Sequence, residues 1–313
     1  MDPSDQYSSN PTSINSSNLT NLGPSSLSII SSTSSIPFNP PSAKVLLDSI
    51  SPTGSRVITL EVTLHRFVLA EFNTHRVFSR NSASSRAIPI SKVVEDVRTN
   101  PAVPVEWGKN CPGMSSHTLL DPSDQIKAEQ IWLESLDLMI QQVAKLKDLG
   151  VHKQIANRLL EPFKWHKLIV TSTEWNNFFS QRIHPEAQPE IRAAALAMKQ
   201  VIDQSTPKIL LNNQWHTPLI LPEEYQNPDL PDSIRKKISV ARCARVSYLN
   251  HHNVKSLADD LKLFDRLYSA DPPHLSPFEH VCRPSLPEEH GSNLIGWISY
   301  RKELEQRWIK SDQ

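Results

Sequence analysis

The sequence predicts an α+β fold in which a mixed or antiparallel sheet packs against several helices. Two patterns carry that expectation. Strand-like alternation runs over 56–63, just beyond a breaker at Pro52-Thr53-Gly54, and helical apolar periodicity recurs from about residue 123 onward. Strands and helices do not alternate regularly, which argues against a doubly wound parallel sheet.

Residues 1–42 are rich in Ser, Asn, Pro and Thr and have no periodic apolar face to offset the entropy of ordering. They read as a disordered tail ahead of one folded domain, 43–313. The tail holds Asp2 and Asp5 and no Lys or Arg, unlike an Arg-rich transit peptide. Aliphatic and β-branched residues at 44–48 and 56–63 flank the breaker and predict a hairpin. Residues 66–76 predict a short helix that faces the core through Phe67, Val68 and Phe72 and ends in polar chain. Over 123–149, the spacing of Ile126, Leu133, Leu136, Ile140 and Val143 predicts a long amphipathic helix, with Gly150 suited to the position after its end. A second helix at 151–160 is halted by Pro162, a strand covers 168–170, and Pro189 opens a helix running to 202. Two more helices are expected at 234–248 and 255–268, and no internal repeat is visible.

Composition removes several classes of function. The 33 basic side chains balance 33 acidic ones, so no global field draws the chain to nucleic acid or an anionic membrane, and any phosphate recognition is local. Cys111, Cys243 and Cys282 are too few and too scattered for a disulfide framework or a paired-cysteine zinc site, and imply a reducing compartment. No apolar run approaches the roughly 18 residues that span a bilayer, and no charged-then-apolar signal opens the sequence, so the expectation is a cytoplasmic protein. None of the seven glycines forms a GxGxxG or Walker-type loop, which leaves nucleotide recognition to side chains.

One segment concentrates polar chemistry. Residues 71–86 read EFNTHRVFSRNSASSR, setting His75, Arg76, Arg80 and Arg86 among Asn73, Thr74, Ser79, Asn81, Ser82, Ser84 and Ser85. Planar guanidinium forks and hydroxyls suit phosphate and sugar oxygens; a solvated loop is the alternative. The run from Thr74 to Arg86 resembles the RHRxxSxNExSxRY signature of the flavin-dependent thymidylate synthases, with Thr74, Ser82 and Ala87 in place of its first arginine, its glutamate and its tyrosine. Two further blocks share the resemblance. His274-Leu275-Ser276-Pro277-Phe278-Glu279-His280 resembles the family's HxSPFEH segment, preceded by an ARVSY segment at Ala244 to Tyr248. Arg158-Leu159-Leu160-Glu161-Pro162, with Asn177, Phe178, Arg182 and the Ala187 to Arg192 run, is similar to the family's ARxVLP, HFLxxR and AQxEIR stretch. The order differs from the usual chain, in which the ARVSY and PFEH blocks come first. A circular permutation, with its break between His280 and the strand at Arg56, accounts for this.

What the resemblance implies is specific. The fold would be that of the family, and the reaction would be reductive methylation of dUMP to dTMP. The carbon donor would be methylenetetrahydrofolate, the reductant NADPH and the hydride carrier FAD. Ser84, Arg86 and Arg158 match positions that hold the nucleotide, and Arg182 matches the arginine beside the uracil ring, the candidate catalytic group. His75, Arg76, Asn81, Asn177, Ser247, His274, Ser276 and Glu279 match flavin-contacting positions, which the family draws from different subunits of a homotetramer. Ser84 has no adjacent His-Asp pair and is assigned binding rather than attack.

Two other functions fit parts of the sequence. His274, Glu279 and His280 could serve a metal-dependent nucleotide hydrolase, although Pro277 breaks the helix that would align them. The 66–86 segment with Phe67, Phe72 and Phe78 could form a non-catalytic nucleic-acid-binding module, against the neutral charge. For Arg182, Arg192 and Arg245 the plain alternative is a salt bridge, and for Arg158 a surface arginine on an amphipathic helix.

Overall fold

The computed structural model describes residues 41–82, 84–246 and 256–311, with side chains described as far as Glu305. The expected tail therefore lies outside the described residues up to residue 40, while Ser42 already belongs to the first strand.

Strands β1 (Ser42–Ile50) and β2 (Arg56–His65) form the expected hairpin, closed by a turn in which Gly54 takes φ 85°. Such a positive φ costs glycine nothing and other residues a steric penalty. A 3-10 turn at Arg66–Val68 and helix α1 (Leu69–Asn73) follow, and then β3 (Ser79–Ser82). The polar chain after the short helix is thus a strand, one that a sequence reading SRNS, with no apolar alternation, does not announce. Helices α2 (Ile90–Thr99), α3 (Pro122–Asp148) and α4 (Lys153–Ala156), with a 3-10 run at Asn157–Phe163, lead to β4 (Trp165–Ser172). Then come α5 (Asn176–Arg182), α6 (Pro189–Asp203), β5 (Lys208–Ile209), α7 (Pro222–Gln226), α8 (Asp232–Val246) and α9 (Leu257–Tyr268). The chain ends in a 3-10 turn at Ser276–His280, the pair β6 (Cys282–Pro284) and β7 (Trp297–Ser299), and α10 (Tyr300–Ser311).

The main sheet has the order β3-β4-β2-β1-β5, antiparallel throughout except for β1 beside β5, so it is mixed as expected. Both faces are covered. Ile58, Leu60, Val62 and Leu64 point to one side and pack with Phe72, Phe178, Ile191, Ala195 and Met198 of α1, α5 and α6. Residues of opposite parity point to the other side, where Val57 meets Cys282 and Trp297 while Ile169 of β4 meets Cys243 and Val246 of α8. Each fully buried aliphatic or aromatic side chain contributes about 2 kcal/mol, which makes this double packing the main stabilising term.

Two expectations need correction in detail, and a third is described only in part. In α3, Leu136, Ile140 and Val143 are buried, but Ile126 is 43% exposed because the first turns of the helix run past the core. Gly150 does take the left-handed backbone after α3, with φ 78°. The helix expected at 151–160 is a single α turn and a 3-10 run that continues through Pro162. Tighter winding turns Asn157 inward, where its amide donates to the carbonyls of Ser85 and Ile88 at 2.8 and 3.0 Å. The helix expected at 234–248 is described as far as Val246, so Ser247 and Tyr248 lie outside the described residues, as do His251 and His252.

Candidate active site

Strand β3 is an edge strand, paired with β4 from Ser79 opposite Thr171 to Ser82 opposite Leu168. Alternation sends its side chains to opposite faces. Asn81 turns toward α8, donating to the Cys243 carbonyl at 3.0 Å and accepting from the Ser276 hydroxyl at 3.4 Å. Arg80 turns the other way and donates to the His75 carbonyl at 2.8 Å.

Ser276 is brought to Asn81 by the 3-10 turn Ser276–His280. Phe278 anchors that turn, fully buried among Phe264, Tyr300 and the apolar face of α8. His280 is pinned from below, its Nδ1 lying 2.9 Å from the Thr171 hydroxyl. Thr171 bonds Thr59 at 2.7 Å, Thr59 bonds His216 Nε2 at 2.8 Å, and His216 Nδ1 reaches Ser49 at 2.8 Å. This buried polar chain ties the turn to three strands of the sheet. Burial holds His216 and His280 neutral, with pKa values pushed down to about 3.

Between β3, the loop after it, the turn and α9 lies a cavity of about 660 Å³ lined by Asn81, Ser82, Ser84, Arg86, Arg266, His274 and Ser276. Among the described residues no carboxylate lines it. Asn81, Ser84, Arg86, His274 and Ser276 were all nominated from sequence, although up to 195 residues separate them. Arg266, in the last turn of α9, was not, because nothing about one arginine on a helix distinguishes it in sequence.

A second cavity, of about 970 Å³, lies beside α5 and the start of α6 and is lined by Arg182, Gln188, Arg192, Phe67, Trp107 and Trp132. Here Arg182 is held on three sides. Its Nε donates to His75 Nε2 at 2.9 Å, and its terminal nitrogen donates to the Thr74 hydroxyl at 3.0 Å and the Glu71 carbonyl at 3.3 Å. A guanidinium only donates, so His75 must carry its proton on Nδ1 and accept at Nε2. Burial, then the charges of Arg182 and Arg80, lower the His75 pKa and preserve that neutral form.

Of the other nominated residues, Arg76, Arg158, Asn177 and Glu279 line neither cavity of one chain. Arg158 is half exposed and donates to Glu161 at 2.9 Å, a carboxylate shared with Ser85 and Arg66. Arg76 and Asn177 are exposed, and Asn177 accepts from Gln181 at 3.2 Å. Glu279 is engaged by Arg301 at 2.6 Å, and Ser247 lies outside the described residues. The plain readings hold for Arg245, paired with Asp260, and for Arg192, paired with Glu106.

The two competing functions find little here. Glu279 and His280 are spent on Arg301 and Thr171, and among the described residues no three His, Cys, Asp or Glu groups gather to hold a metal. Phe72 and Phe78 are fully buried in the sheet core, so they cannot stack on bases as a nucleic-acid platform would require.

With this geometry in view, the model of the family described as thymidylate synthase complementing protein matches residues 48–208, just over half of the 313-residue chain. The chain belongs to that family. The matched span contains the 71–86 segment, Arg158 and Arg182, whereas α8 and the Ser276–His280 turn lie beyond it. Among solved structures the chain is similar to a UMP/dUMP methylase, PolB from Streptomyces cacaoi, bound with 5-Br UMP. The TM-score is 0.45 at 16% identity, over 53% of this chain and 90% of that one. No curated protein sequence matches it. Among the described residues no helix is long and apolar enough to cross a membrane.

Proposed function

We propose that this family member is a flavin-dependent thymidylate synthase that converts dUMP to dTMP with methylenetetrahydrofolate and NADPH in the cytoplasm. One observation carries the reading. Ser84 and Arg86 from the signature, and His274 and Ser276 from a block nearly two hundred residues away, line one cavity in which no described residue is a carboxylate.

In this reading Arg86 and Ser84 hold the phosphate, the guanidinium as a planar fork and the hydroxyl as an added donor. Arg182 lies along the uracil ring and stabilises negative charge that develops on the pyrimidine carbonyls as C5 gains its carbon. Its three local bonds set its direction in advance. His75 is its positioning residue, keeping Nε fixed while its own proton stays on Nδ1.

The donor chemistry near β3 fits a flavin nucleotide: a neutral imidazole, an amide, hydroxyls, and at Arg76 a guanidinium with no described partner. His75, Arg76, Asn81, Asn177, Ser247, His274, Ser276 and Glu279 would hold FAD. When bound, its reduced ring supplies the hydride that completes the methyl group, with NADPH as the source of electrons.

Arg182 and Arg86 line different cavities of the same chain, which supports a site completed between chains of a homotetramer. Arg158, exposed and outside both cavities, would then serve a neighbouring subunit. Contacts near the chain ends support the circular permutation. The Ser55 hydroxyl donates to the Ile295 carbonyl at 2.6 Å and the Trp297 indole donates to the Ser55 carbonyl at 3.3 Å. The chain beyond His280 thus runs beside the start of β2, where the usual order would join the two.

The test is direct. Purified protein is expected to be yellow, to change its absorbance spectrum on adding dUMP, and to release tritium from dUMP labelled at C5. A colourless protein that takes up no FAD would overturn the proposal.

A further inference from the structure

We infer that Arg266 is a second arginine ligand for the phosphate of the bound nucleotide, and that it gives this cavity its preference for a phosphate monoester. The inference rests on the function proposed above and adds to it a residue outside every matched motif.

Arg86 and Arg266 come from opposite ends of the domain and line the same cavity. Neither guanidinium has a hydrogen bond or ion pair to a described residue. Nearby arginines are different: Arg242 and Arg245 on α8 share Asp260, and Arg301 takes Glu279. Asp260 and Glu279 are therefore already engaged, and among the described residues no carboxylate lines the cavity. Ser82 stands where the signature has a glutamate, so that position offers a hydroxyl in place of a negative charge.

Two cations without a described partner that line one cavity repel each other, a cost that an anion between them reverses. A phosphate monoester fits the charge, carrying about −1.5 to −2 near neutral pH. Its oxygens also outnumber what a single guanidinium fork can satisfy, leaving acceptors for Arg266 and the hydroxyls of Ser82 and Ser84. The end of a helix favours a basic residue through the helix dipole, and Arg266 lies in the last turn of α9. That effect explains a cation there, but not its place beside Arg86 in a cavity whose described lining holds no acid.

Titration calorimetry with dUMP and with deoxyuridine, which lacks the phosphate, tests the inference. Arg266→Ala is expected to weaken dUMP binding about 10- to 100-fold, the range for a lost hydrogen bond to a charged group, and to leave deoxyuridine binding unchanged. Arg266→Lys, which keeps the charge without the fork, should recover part of the loss. Arg266 is exposed, so melting temperatures are expected to stay at the wild-type value. Arg266→Gln guards against a local packing defect and should lose dUMP affinity as the alanine variant does. If Arg266→Ala and Arg266→Gln bind dUMP like wild type while Arg86→Ala does not, this inference falls and the proposed function stands. If wild-type protein binds neither ligand, or binds deoxyuridine as tightly as dUMP, both fall.

Discussion

The two cavities hold arginines in opposite states. Arg182 is clamped by His75, Thr74 and a backbone carbonyl before any ligand arrives, whereas Arg86 has no described partner for its guanidinium. The difference follows from what each group is asked to do. An arginine that stabilises charge appearing only in the transition state is most effective when its orientation costs nothing at that moment. An arginine that recognises a phosphate already present can be ordered by the ligand, at the expense of some binding energy.

Acid should break this comparison most strongly, because the chain of buried histidines lies under only one cavity. His216 and His280 are neutral in the fold with pKa values near 3, and His166 near β2 is in the same state. Unfolded histidines take up protons near pH 6.5, so stability is full above that pH and falls as pH drops toward 3. Each histidine approaches about 1.4 kcal/mol per pH unit only well below pH 6.5, so the three together cost about 3 kcal/mol between pH 6.5 and 5.5. Urea unfolding at pH 7.5 and 5.5 checks this, and equal midpoints would mean that these rings are not buried neutral.

Arg182→Ala is expected to lower kcat about 100- to 1000-fold with little change in the dissociation constant of dUMP, the loss of one preorganised donor. Single-turnover methylation separates the two quantities; a loss confined to binding would contradict the clamp. Arg86→Ala should do the reverse, weakening dUMP about 10- to 100-fold with a smaller effect on kcat. Arg158→Ala removes an ion pair exposed to water and should change stability by less than about 1 kcal/mol. Its activity is the sharper measurement. If Arg158 serves a neighbouring subunit, mixing Arg158→Ala chains with Arg86→Ala chains raises activity at low dUMP above that of either variant alone, and no rise would place both residues in one chain's site.

How far the site was legible depended on whether its signal was local. Ser84, Arg86, His274 and Ser276 could be nominated because each sits in a compact run of unusual spelling, and they line one cavity. Arg158 and Asn177 carried comparable spelling, yet stand outside both cavities of a single chain. Arg266 carried none. Strand β3 was missed because edge pairing with β4, rather than alternation of its own apolar residues, makes it a strand. The 3-10 run through Pro162 was missed because its direction answers to the inward pull of Asn157.

From sequence alone came the hairpin, the long helices with their proline starts and the glycine after α3, the balanced charge and the family. All of these depend on neighbours a few residues apart, where periodicity and steric preference act directly. Tertiary structure alone decided which arginines are clamped, which are paired with acids and which face an open cavity. Hydrogen-bond partners are chosen across distances in sequence that no local pattern encodes, and the same guanidinium becomes structural or ligand-binding according to what the fold places beside it.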